Sequence, residues 1–423
     1  MANMKPSGVQ WIGDIPSKWN LAVLGKYVKQ VKNKNTALLE TNLLSLSYGK
    51  IKRKDISAND GLLPASFDGY NIIEEGDIVL RLTDLQNDHT SLRVGRATER
   101  GIITSAYITI RPEKYISSKY LYYVLHSFDI VKGFYGMGAG IRQGLTYDGV
   151  QSLKIPSPEI LEQQAIADYL DDRCSKIDEI IAEATASIEE YKELKQAVID
   201  NGVLHGIRNE EQLKDTGVDW IGSIPVSWEL RKVKYVAHFN PSITKQYDEK
   251  APVGYVPMTS VKNGNMLPLE ILIKEMSTGL TAFQEDDLVM AKVTPCFENG
   301  NISIAKGLAQ GVGFGSSELF VFRPYGINRK FLLYYLQNSG FRNKCVSTMT
   351  GVGGLKRVSG YFVKNAYVTY PSDKEQQEIV DFLDVRVGDI DSLISEKQSL
   401  INDLQAYKKS LIYEVVTGKR RVV

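Results

Sequence analysis

Apolar residues recur every seven positions in two long stretches of this chain. In the later stretch, roughly 372–417, Val387, Ile394 and Ile401 form one series. Leu383, Ile390, Leu404 and Leu411 form an interleaved series, broken by Lys397. In the earlier stretch, roughly 158–205, Cys174, Ile181 and Ile188 form one series, and Leu170, Ile177, Ala184, Tyr191 and Val198 the other. An offset of 213 residues carries the earlier seam onto the later one, and the polar breaks Lys195 and Lys408 fall at the same seam position. Such a pattern is the a/d seam of a coiled coil. It predicts two helices of about 45 residues, each about 68 Å long at 1.5 Å per residue.

Between these stretches the pattern changes to short apolar runs separated by Gly, Asn and Asp clusters, which predict strands. In the part spanning 20–155 the expected strands are 42–47, 77–82, 106–110 and 152–155, with a helix over 119–128. The part spanning 229–370 follows the same order. Asp287–Val293 stands where Asp77–Leu82 stood, Arg323-Pro324 echoes Arg111-Pro112, and Lys330–Leu336 echoes Lys119–Leu125. A Gly-rich stretch follows each helix, Gly136–Gly144 in the first part and Gly351–Arg357 in the second. Each part is preceded by a short segment of shared pattern, Trp11-Ile-Gly-Asp-Ile-Pro-Ser-Lys-Trp19 and Trp220-Ile-Gly-Ser-Ile-Pro-Val-Ser-Trp228, and these hold all four tryptophans of the chain. Gly and Pro impose a bent path and the indoles supply large apolar anchors, so the segments read as packing staples. The fold class expected is α+β: two mixed globular domains and two long coiled-coil helices, in an internal repeat. The boundaries are 1–19 for a docking segment, 20–155 for the first globular domain and 156–206 for the first spacer helix. A linker and second docking segment follow at 207–228, the second globular domain at 229–370 and the second spacer helix at 371–419.

The net charge of +1 conceals a division. The globular parts carry about +5 (20–155) and +7 (229–370), and the helices about −8 (156–206) and −4 (371–419). Basic domains on acidic spacers point to a polyanionic ligand for the domains and protein contacts for the helices. No apolar run approaches the ~18 residues of a membrane span. The three cysteines and four histidines lie at no metal-ligand spacing, which fits reduced cysteines in a cytoplasmic protein.

Catalytic motifs are nearly absent. Phe134–Gly140 has the glycines of a cofactor loop but follows a helix, not a strand. Asn240-Pro-Ser-Ile243 lacks the second proline and aromatic of an adenine methyltransferase motif, and Glu193-Leu-Lys195 lies in mid-helix. The candidates are binding residues. The Gly-rich loops carry Arg142 with Gln143, and Lys356 with Arg357. The loops after the Asp77 and Asp287 strands carry Arg81, Thr83, Asp84, Gln86 and Asn87 in one case, and Lys292, Thr294, Glu298, Asn299 and Asn301 in the other. Glycine lets backbone approach phosphate closely, and Arg, Lys, Asn and Gln read G and A edges in the major groove.

The paired Trp-Ile-Gly-x-Ile-Pro-x-x-Trp segments, the helix starts Glu162-Gln-Gln164 and Glu375-Gln-Gln377, and the closing Ser410–Gly418 resemble the specificity (S, or HsdS) subunits of type I restriction–modification systems. Lys292–Gly300 also resembles a segment of one group of such readers. The resemblance spans essentially the whole chain. One departure is Asp200-Asn-Gly202, where the second helix has Tyr413-Glu-Val415; Gly202 is a place for that helix end to fray or bend. The resemblance implies that each globular part is a target recognition domain reading half of a split site in double-stranded DNA. It implies that the two helices pack as an antiparallel coiled coil, hold the domains apart in a pseudo-twofold internal repeat, and form the frame that two modification subunits bind. Those partners would methylate adenine N6 with S-adenosylmethionine, and optional restriction subunits would use ATP and Mg. This chain would then hold no cofactor and no catalytic residue. Two other classes compete: a self-contained DNA enzyme, which the missing motifs disfavour, and a coiled-coil protein–protein scaffold, which leaves the basic domains unexplained.

Overall fold

A computed structural model describes residues 3–56, 64, 66–88, 90–137, 144–208, 212–262, 264–352 and 354–422. The chain forms two compact units, Met1–Thr185 with Ser399–Val423, and Ala186–Gln398. Both unit boundaries fall inside long helices, Ile160–His205 and Asp373–Val416, so each helix gives one part of its length to each unit.

In the first unit a four-stranded antiparallel sheet has the order Val28–Gln30, Ile108–Pro112, Ile78–Leu80, Val94–Arg96. Ile78 and Leu80 face the main core with Ile110, while Val79 faces a smaller core with Leu44, Leu46, Ile73 and Ile103. A strand buried on both faces explains a continuous apolar run where a half-exposed strand would alternate. The helix Ser118–Ile130 starts at Ser117, whose hydroxyl accepts the Tyr120 N–H at 3.4 Å. It buries Tyr120, Leu121, Val124, Leu125 and Phe128. Its outer edge is tied to the long helix by Tyr123, whose hydroxyl donates to Asp171 at 2.8 Å, and by Lys119, 2.7 Å from the same carboxylate.

The second unit builds a sheet of the same order from Ala237–Phe239, Leu319–Pro324, Leu288–Ala291 and Ile302–Ile304. Leu288 and Met290 face one core, Val289 the other. Asn328 caps the helix Arg329–Leu336, accepting from the N–H groups of Lys330 and Phe331. Tyr334 and Lys330 hold Asp384 at 2.9 and 2.5 Å. This unit also contains a second four-stranded sheet (Leu269–Ile271, Val253–Val256, Val312–Gly315, Thr281–Gln284) with one parallel pair.

The glutamines at the helix starts are structural. Gln163 accepts the Ser117 N–H at 2.9 Å and donates to the Pro158 carbonyl at 2.9 Å. Gln376 does the same with Asn328 at 2.7 Å and Pro371 at 2.9 Å. Ile12, Ile15 and Trp19 are buried in the first core, and Ile221, Ile224 and Trp228 in the second, so both docking segments are parts of their cores. The seam lysines find carboxylates: Lys408 meets Asp178 at 2.5 Å in the first unit, and Lys195 meets Asp391 at 2.7 Å in the second. The first long helix runs unbroken through Gly202 to His205. A Cβ there would meet Leu383 at 3.0 Å, so this glycine serves close approach, and the expected fraying does not occur. Among the described residues no helix is long and apolar enough to cross a membrane.

Candidate functional site

In the first unit the residues after strand Ile78–Leu80 are wrapped around one buried arginine. Arg93 is fully buried. Its Nη1 donates to the carbonyls of Thr83 at 2.8 Å and Arg81 at 3.3 Å, and its Nη2 to the carbonyls of Asp84 at 3.5 Å and Asp88. Its Nε donates to the Tyr135 hydroxyl at 3.3 Å, and that hydroxyl donates to the Asp88 carbonyl at 2.9 Å. A planar guanidinium with five donors suits this work, since one side chain fixes four carbonyls of a loop with no secondary structure of its own. Leu82 and Leu85 anchor the loop in the core, leaving Thr83, Gln86 and Asn87 exposed. Asp84 takes a positive φ of 58° and accepts from Asn87 Nδ2 at 2.8 Å, and Arg81 lies 4.0 Å from Asp88. Hydrogen bonds from Ser91 and Thr90 hold the Asp88 carboxyl well below the usual range, so it stays ionised beside the two arginines. Leu145 N–H donates to the Leu82 carbonyl at 2.9 Å, which brings the end of the Gly-rich stretch to this loop. Arg142 and Gln143 lie outside the described residues.

In the second unit the corresponding loop is built differently. Phe297 is buried, and the turn closes through N–H bonds from Phe297 to Val293 (2.9 Å), Asn299 to Pro295 (3.0 Å) and Asn301 to Cys296 (3.1 Å). Arg342 donates to the Glu298 carbonyl. A hairpin of Thr350–Val352 and Leu355–Arg357 is attached to the loop. Thr294 N–H donates to the Lys356 carbonyl at 2.9 Å, Lys356 N–H to Thr294 Oγ1 at 3.0 Å, and Thr294 Oγ1 to the Gly354 carbonyl at 2.8 Å. Val358 N–H donates to the Lys292 carbonyl at 2.8 Å, and Val293 bridges Arg357. Lys292, Thr294, Lys356 and Arg357 therefore share one surface. Glu298 and Asn299 are exposed on it, with Asn301 half-buried. Arg357 is already engaged by Glu318 through two 2.9 Å contacts, which lower the glutamate and raise the arginine. Lys356 is exposed and has no ion-pair partner among the described residues.

Several residues of these surfaces were not foreseen. Arg93 sits in a sequence context with no local sign of burial, and Glu318 and Arg342 are remote in sequence from the loops they hold. The exposed strand Lys50–Arg53, with Tyr48 82% exposed at its turn, was visible in principle as the basic run Lys50-Ile-Lys-Arg-Lys54. Among the described residues no three His, Cys, Asp or Glu side chains are grouped to hold a metal. Burial pushes the Cys174 thiol up to about 11, so at neutral pH it is protonated and a poor nucleophile.

A family model described as the type I restriction modification DNA specificity domain matches residues 225–402. The Escherichia coli EcoAI specificity subunit is 34% identical over 192 residues, 44% of this chain and 32% of that protein. The MjaVIII specificity subunit of Methanocaldococcus jannaschii is 24% identical over 423 residues, 96% of this chain and 94% of that one. The chain is similar to the specificity subunits of type I restriction–modification systems. The alignment thus spans about a third of the EcoAI subunit and nearly all of the MjaVIII subunit. The fold agrees with a solved chain from a study of complex assembly and conformational transition in a type I R-M system. The TM-score is 0.69 at 15% identity, over 96% of this chain and 99% of that one.

Proposed function

We propose that this chain is the non-catalytic DNA reader of a type I restriction–modification complex. Each globular domain, 20–155 and 229–370, reads one half of a bipartite target in double-stranded DNA. The helices of 156–206 and 371–419 pack as an antiparallel coiled-coil spacer in a pseudo-twofold frame. The spacer sets the gap and recruits two modification subunits, with restriction subunits as optional additions. The partners hold S-adenosylmethionine, take the adenine out of the stack and methylate N6. One observation carries the reading. Two sheets share strand order and an Asp–Arg lock (Asp77–Arg111, Asp287–Arg323), yet the loops beyond their central strands are built on unrelated contacts. A common scaffold with unlike loops is what two different half-sites require. In the first unit the base-edge and phosphate candidates are Arg81, Thr83, Asp84, Gln86 and Asn87, and from the sequence alone Arg142 and Gln143. In the second they are Lys292, Thr294, Glu298, Asn299, Asn301, Lys356 and Arg357. Half-sites on one face of the duplex lie about 34 Å apart.

The test is a genome-wide map of adenine methylation in cells expressing this chain with its modification partner, against cells lacking this chain. A split motif that appears only with the chain supports the reading. An assembled complex that gives no motif returns the molecule to the scaffold class. An insertion near Ser187 separates spacer from readers: it is expected to change the gap and leave both half-sites unaltered.

A further inference from the structure

The hairpin of the second unit carries two aliphatic side chains where burial is absent. Val352 is 89% exposed and Leu355 56%. They are register partners across the ladder, so their side chains stand side by side on one face as a single apolar edge. A two-stranded hairpin alone is marginal in water. This one is fixed at its base by the Thr294 contacts, the Val293–Arg357 bridge and the double contact of Arg357 with Glu318. The hairpin is tied down at its base while its apolar edge stays exposed.

The charges beside that edge select the occupant. Lys356 follows Leu355 directly and is exposed, and Lys292 lies at the base. Of the acids on this surface, Glu318 is taken up by Arg357, while Glu298 is exposed on the neighbouring loop. An apolar edge among cations suits a polyanion with an apolar interior, which describes duplex DNA: phosphates outside, stacked bases within. Two aliphatic groups offer no hydrogen bonds to base edges, so they do not read the donor–acceptor code. Their chemistry fits insertion between base pairs, where an apolar wedge replaces a stacking partner and kinks the duplex.

We propose that Val352 and Leu355 form a wedge that unstacks one base step within the half-site read by the second domain. The proposal rests on the DNA reading given above. It adds a specificity determinant of a different kind, because the cost of opening a step depends on its sequence and is least at pyrimidine–purine steps.

The experiment uses the full chain in complex with its modification partner. The duplex carries the mapped target, with 2-aminopurine placed in turn at each purine except the methylated adenines. One position in the second domain's half-site is expected to brighten on binding. Val352→Ser with Leu355→Ser is expected to abolish that signal and raise Kd for the target by about tenfold, with binding to scrambled duplex unchanged. The two side chains are exposed, so the variant keeps its core. Target binding with no brightening at any tested position overturns the wedge and leaves the DNA reading intact. So does affinity lost on replacing a thymine by uracil without brightening, which marks a groove contact with the methyl group. A complex that does not distinguish target from scrambled duplex overturns the DNA reading, and the wedge with it.

Discussion

Asp287 accepts from Nε and Nη2 of Arg323 at 2.7 Å each, and its Oδ2 also accepts the Gln284 N–H at 2.8 Å. Asp77 repeats this with Arg111, 2.7 Å on both contacts, and with the Glu74 N–H at 2.8 Å. Each aspartate is 1% exposed, so it closes the turn before the central strand and pins the neighbouring strand. The arginines differ in exposure, 48% for Arg111 and 19% for Arg323. Removing one partner of a buried pair strands the other. Asp287→Ala is therefore expected to cost about 3 kcal/mol, toward the low end for a broken buried pair. Asp77→Ala is expected to cost about 1–2 kcal/mol, because water reaches Arg111. Urea unfolding followed separately for the two units checks the order. Equal losses would mean that the turn bond dominates over the ion pair.

The ends of the long helices make a second paired test. Gly418 has φ +73°, and a Cβ there would meet Pro16 at 2.3 Å and Trp19 at 3.1 Å. Gly206 has φ +79°, with Trp228 at 3.1 Å. Left-handed backbone costs an L-residue about 1–2 kcal/mol. Gly206→Ala is expected to cost about that much. Gly418→Ala is expected to cost more, since the proline ring cannot rotate away as a flexible side chain would. Thermal unfolding of the two variants decides it, with a larger drop in Tm expected for Gly418→Ala.

The long helices, the strands at 77–82 and 287–293 and the buried role of the tryptophans were legible because periodicity and bulk act locally. The helices end within two residues of their expected limits. The candidate loops were legible only as compositions. What their residues do depends on partners far away in sequence. Arg357 was read as a DNA-contact candidate from its loop alone, with no sign of its pairing with Glu318, and the loop at 81–88 owes its shape to Arg93. No local pattern announces an arginine that will be buried, because its burial is paid for by carbonyls that exist only once the chain has folded.

His126 and Asp129 lie on one helix and titrate in opposite senses. Burial, then Lys408, lowers the His126 imidazole to about 4, and burial raises the Asp129 carboxyl to about 6. A raised carboxyl favours the fold below its unfolded value of about 3.9, and that contribution is lost as pH rises through 6. A depressed imidazole favours the fold above its unfolded value of about 6.5, and that contribution is lost as pH falls through 4. Between pH 4 and 6 the two largely cancel. Relative to wild type, Asp129→Asn is expected to gain stability as pH rises across this window. His126→Gln is expected to lose it, each by up to about 3 kcal/mol. Tm differences from wild type at pH 4.5 and 6.5 check the signs; parallel curves would refute both assignments.

Lys356 tests the proposed phosphate contact. It is exposed with no ion-pair partner among the described residues, so its substitution leaves no stranded charge. Lys356→Ala is expected to weaken binding of target and scrambled duplex alike, and to reduce the slope of log Kd against log salt by about 1. Loss of affinity for the target alone would assign it to a base edge instead.

Arg93 tests whether the two proposed readers are independent. Arg93→Lys keeps the charge but loses the planar fork that ties the carbonyls of Arg81, Thr83, Asp84 and Asp88. The loop carrying Thr83, Gln86 and Asn87 is then free to take other shapes, while the second unit is untouched. The expected methylation map shows one half-site relaxed or lost, with the other half-site and the gap unchanged. Two altered half-sites would show that the readers are coupled and that a split target is not the sum of two separate loops. An unaltered map, with the variant folded, would show that the 81–88 loop does not touch bases, and would move recognition in this unit to the exposed Lys50–Arg53 strand.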